Sequence, residues 1–93
     1  DKEDELRELA KELVREYEKR GVSEEEIALL VALAANFAVV IVFDNEEQAE
    51  RAAKYIKKKL PSAVIVIFNN FVFVYVDSRE DERIAWELAQ EAQ

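Results

Sequence analysis

Two groups of carboxylates carry the side chains best suited to chemistry: Asp44, Glu46 and Glu47, and then Asp77, Glu80, Asp81 and Glu82. Oxygen-only sets of this kind suit Mg²⁺ or Ca²⁺. Each group, however, falls where a helix begins, and there a cap and the helix dipole account for the same residues. Asn69 and Asn70 share a sheet end with Asp44 and have ligand oxygens, but two asparagines between apolar runs are first of all turn residues. Lys57, Lys58 and Lys59, with Arg51 and Lys54, form the one basic patch and suit phosphate. Complementing a helix C-terminus explains them without a ligand, and no aromatics interleave to stack bases. Ser23, Ser62 and Ser78 are the only hydroxyls besides tyrosine, and the chain has no histidine to activate them. The sequence therefore assigns no catalytic, cofactor-binding or metal residue, and no cofactor or enzymatic activity is expected.

The missing residue types narrow the chemistry further. The 93 residues include no Cys, Met or His, one Gly and one Pro. Disulfides, thiol chemistry and zinc sites are excluded, and a lone Gly21 cannot write a dinucleotide fingerprint or a phosphate loop. A net charge of −8 argues against nucleic acid or an anionic membrane as partner. The first residues show no basic n-region, so a soluble protein without a targeting signal is expected, made by recombinant cytoplasmic expression.

Periodicity places these residues on elements. From Asp1 to Arg20, Leu6, Leu9, Ala10, Leu13, Val14 and Tyr17 make one helical stripe, which Gly21 can end. Ser23 with Glu26 is a capping box, and the helix that follows is apolar on both sides, with Ile27, Leu30, Val31 and Ala34 opposite Leu29 and Leu33. Such a helix is expected to be covered on two sides. "NFAVVIVF", Asn36 to Phe43, reads as a strand, and "DNEE" from Asp44 as the next cap. Ala49, Ala52, Ala53, Ile56 and Leu60 then face inward before Pro61. Ala63–Phe68 and Phe71–Val76 read as a hairpin joined by Asn69-Asn70. Ser78 with Asp81 opens a last helix whose inward side is Ile84, Ala85, Leu88, Ala89 and Ala92.

The expected elements are helices over about 2–20, 24–35, 45–60 and 79–92, with strands over about 37–43, 63–68 and 71–76, in one domain spanning 1–93. Strands without polar alternation must be buried on both faces. The fold class is therefore α/β (α+β mixed): a three-stranded mixed sheet covered by helices on both faces, ordered α-α-β-α-β-β-α. Strand order 1-3-2 is favoured over 1-2-3 because "FVFVYV" suits the centre. The hairpin register makes one sheet face aromatic, with Phe68, Phe71, Phe73 and Tyr75, and the other aliphatic. We expect the Ala-rich third and fourth helices on the aromatic face, the second on the aliphatic face, and the first over Leu29 and Leu33.

Ile27 to Phe43 contains one polar residue in seventeen, but it is shorter than a membrane span and flanked by acids. A buried helix and strand is the reading, and no membrane partner is expected. Asp44 and Asp77 fall at opposite sheet ends, about 20 Å apart at ~3.3 Å per residue, so they cannot form one site. Trp86 and Tyr55 sit at helix margins, where an aromatic covers a sheet edge with its polar tip wet.

The caps "SEEE", "DNEE" and "SRED", the charge-paired helix faces, the β-branched strands and the near absence of Gly and Pro follow the rules for writing idealised sequences. Over its whole length the chain resembles a computationally designed α/β protein. That resemblance implies a stable scaffold made to test a fold, with no biochemical function, a monomer favoured over a homodimer. The alternative is a self-association or protein-binding module acting through a sheet edge or an exposed helix face. Residues 36–93 also resemble a ferredoxin-like unit lacking its last strand, a topological likeness that implies no activity.

Overall fold

A computed structural model describes residues 2–35 and 37–93. Asp1, read into the first helix, and Asn36, read into the first strand run, lie outside the described residues. The order is α1 (Lys2–Lys19), α2 (Glu24–Ala34), β1 (Ala38–Val42), α3 (Glu46–Lys59), β2 (Val64–Phe68), β3 (Phe71–Tyr75) and α4 (Arg79–Ala92). The strands lie in the order β1-β3-β2, with β3 antiparallel to both neighbours, so the two outer strands run parallel.

Local chemistry sets the element ends. α1 stops because Gly21 adopts φ +78, which lets Val22 N–H donate to Tyr17 O and Gly21 N–H to Glu18 O. That pair of bonds is the Schellman arrangement, and it satisfies carbonyls a helix end leaves open. Ser23 accepts from Glu26 N–H, and Ser78 from Asp81 N–H, as their spacing predicts. The cap of α3 is one residue later than expected: Asn45, not Asp44, accepts from Gln48 N–H at 2.8 Å. Gln48 Oε1 in turn accepts from Asp44 N–H, so Asp44 contributes its backbone to the helix start. In the hairpin, positive φ falls on Asn69 alone, at 54°. A type I′ turn, which needs it at both central residues, is thereby excluded.

The register of the hairpin is the expected one, with Phe68 opposite Phe71, Val66 opposite Phe73 and Val64 opposite Tyr75. The assignment of helices to faces is the reverse of the expectation. Phe71 and Phe73, buried and stacked with ring centroids 6.0 Å apart, lie under α1 and α2 among Ala10, Val14, Ile27, Ala28 and Val31. The aliphatic face, with Val39, Ile41, Val72 and Val74, lies under α3 and α4. Volume matching is met residue by residue instead of helix by helix. Ala10 and Ala28 make room for the two rings, while Ile56, Leu60 and Leu88 fill the space above short valines.

A second correction concerns the first two helices. α1 does not stack over Leu29 and Leu33; it packs beside α2 directly on the sheet, its Ala10 and Val14 fully buried. One helix is about 10 Å wide and cannot cover three strands spaced about 4.8 Å apart, so the uncovered half near β2 recruits α1. α2 is accordingly covered on one side only, leaving Leu29 60% and Leu33 75% exposed. Ala34, expected on the inward face, is exposed as well. α4 returns beside α3 as expected, burying Ala85, Leu88 and Ala89.

Candidate functional site

The residues that first suggested chemistry are dispersed by this fold. The β1–β3 register sets Asp44 and Asp77 beyond opposite ends of the sheet. Among the described residues, no three acidic side chains converge on a point that would hold a metal ion. Glu46 and Glu47 lie in the first turn of α3, and Glu80, Asp81 and Glu82 in that of α4. Glu80 also pairs with Arg83 at 2.6 Å, and that hydrogen bond holds its carboxyl below the usual carboxylate range. Ser23 and Ser78 are caps, and Ser62 lies in the exposed turn after α3. No described helix is long and apolar enough to cross a membrane.

Lys57 and Asn70 are put to structural use. Lys57 Nζ donates to Pro61 O at 2.8 Å and to Ala63 O at 2.6 Å, tying the end of α3 to the start of β2. Asn70 Nδ2 donates to Phe43 O at 2.8 Å and to Glu24 Oε2 at 3.0 Å, joining the hairpin tip to β1 and α2. The Lys57 role is a local one, in keeping with a lysine that complements the end of its own helix, whereas the Asn70 role has no sequence signal because it joins segments brought together only by folding. Tyr55 donates its hydroxyl to Glu91 at 2.6 Å across α3 and α4, and this bond raises its pKa. It borders a cleft of about 520 Å³ lined also by Asp44, Gln48 and Arg51, all of them engaged by, or next to, the α3 cap.

The most distinctive surface is the free edge of β1. It forms the floor of a groove of about 660 Å³, with Glu25, Ala28, Leu29 and Ala32 of α2 on one wall and Arg79, Glu82, Arg83 and Trp86 of α4 on the other. Trp86, expected to cover a sheet edge, does flank this one, yet it stays 51% exposed. The opposite edge, β2, also carries charged side chains, with Glu3, Glu50, Lys54 and Lys57 around Val64, Ile65 and Ile67, but none of the exposed large apolar side chains found beside β1. Charged side chains over an edge discourage pairing with another chain. Both edges are therefore guarded by charge, and what sets β1 apart is the pair of exposed apolar side chains, Leu29 and Trp86, on its two flanks.

No protein-family model matches the chain, and no curated protein matches it significantly.

Proposed function

We propose that this chain is a computationally designed α/β scaffold whose role is to fold stably, with no catalytic or cofactor chemistry. The observation that carries the reading is the division of labour among its side chains. Among the described residues, both cores are built from apolar side chains, while Ser23, Asn45 and Ser78 cap helices, Lys57 and Asn70 tie loops, and Glu80 forms a surface ion pair. Local choices that all agree with one fold are the criterion by which sequences are designed. A melt followed by circular dichroism is expected to give a midpoint above about 60 °C. Titration with Mg²⁺ or Ca²⁺ to about 1 mM, followed by amide NMR, is expected to shift nothing; saturable shifts at Asp44 or Asp77 would overturn the reading.

A second reading, a protein-binding module, is favoured by the β1 groove. An edge strand with no strand partner on its outer side, lying between two half-exposed apolar side chains, Leu29 and Trp86, has the composition of a docking surface.

A further inference from the structure

Antiparallel pairing fixes which backbone groups of β1 are free. Phe43 N–H donates to Asn70 O, and Phe37 O accepts from Val76 N–H, so the odd-numbered residues between them bond inward to β3. By alternation, Ala38, Val40 and Val42 direct their N–H and C=O groups out of the sheet into the groove. Three residues at two-residue spacing are a template for one more strand.

The shape of the groove decides what fits. Two helices per face, packed about 9 Å apart, are wider than three strands at about 4.8 Å, so α2 and α4 overhang the β1 edge. A second folded copy would bring its own overhanging helices against these, whereas a single extended segment can enter between them. Resting on the binding-module reading, we propose that the β1 edge accepts an extended peptide segment as an added antiparallel strand centred on Val40.

Side-chain chemistry specifies the segment. The residue opposite Val40 shares its sheet face and meets Ala28 and Ala32 of α2, small side chains that leave room for a large aliphatic group. Residues opposite Val39 and Ile41 face α4, where Trp86 offers an apolar plane. An antiparallel segment ends its course near Ala38, beside Arg79. Arg83 is held between Glu80 and Glu87 at 2.6 Å each, but Arg79 enters no ion pair among the described residues. The ligand is therefore a segment whose large aliphatic residues face α2, alternating with residues such as Thr whose methyl lies against Trp86, and ending in a carboxylate beside Arg79.

The test uses the full chain and a synthetic peptide of about eight residues that alternates Val or Ile with Thr and ends in Glu. Saturation is expected to shift Trp86 emission to shorter wavelength and to slow exchange of the Val40 amide by about tenfold or more. Val40→Pro removes the outward N–H without removing an inward one, though it also trims a buried side chain of the aromatic-face core, and in a variant that still melts cooperatively it is expected to abolish binding. Arg79→Ala, at an exposed position, is expected to weaken the Glu-ended peptide about tenfold and to leave an amide-ended one unchanged. Protection at Ile65 and Ile67 instead of Val40 would overturn the inference while leaving a binding module standing. A doubled mass without peptide would show that a second copy takes the edge and would overturn it likewise. No response at about 1 mM peptide would sink both.

Discussion

Asn70 Nδ2 lies 2.8 Å from Phe43 O, so the second residue of the hairpin turn is also a strut between β3 and the end of β1. The same amide reaches Glu24 at the start of α2, and the Asn70 carbonyl accepts from Phe43 N–H. Asn70→Gly is expected to cost about 1 to 2 kcal/mol, because Phe43 O loses its side-chain donor. A urea titration measures it as a lower midpoint at unchanged slope; equal or greater stability would show that the strut contributes nothing.

The two sides of the aromatic face make a paired prediction. Phe73→Ala opens a void under α1 and α2 and is expected to destabilise by about 3 to 5 kcal/mol. Leu33→Lys, at a side chain 75% exposed, is expected to change stability by less than about 0.5 kcal/mol. Denaturant unfolding of both variants checks the pair, since a helix covered on two sides would make Leu33→Lys costly.

Lys57 guards the β2 edge through its bond to Ala63 O. Lys57→Met keeps the aliphatic stem and removes the donor, and is expected to lower stability by roughly 1 kcal/mol. It also frees an edge acceptor, so light scattering across a concentration series should show a larger mass for the variant than for the parent chain. Equal masses for variant and parent would assign edge protection to the other charged side chains.

Alkaline pH should weaken the fold. The hydrogen bond to Glu91 raises the pKa of Tyr55, and burial raises that of Tyr75. The unfolded chain therefore releases both protons more readily, the folded state holds more protons at high pH, and stability falls as pH rises through about 10. Unfolding midpoints from pH 8 to 11 test this, and Tyr55→Phe should flatten the part that Tyr55 supplies. A midpoint constant across that range would contradict it.

Much of the molecule is legible along the chain. Ser23, Ser78 and Gly21 mark element ends because capping is a local transaction among three or four residues. The register of Val66 against Phe73 follows from a two-residue turn and alternation. The Asn45 cap was misplaced by one residue because Asp44 and Asn45 are equally competent caps, and only the direction of the chain leaving β1 selects between them.

Local chemistry and alternation are therefore enough for the elements, the hairpin and the two kinds of sheet face. Which helix pair covers which face was decided in three dimensions. Alternation sorts side chains into two sets, but the hand of the β1–α3–β2 crossover and the direction of the pleat choose the set that meets α3. The same holds for the groove: Leu29 and Trp86 belong to helices far apart in sequence, and they flank Val40 because helices are wider than the strands they cover.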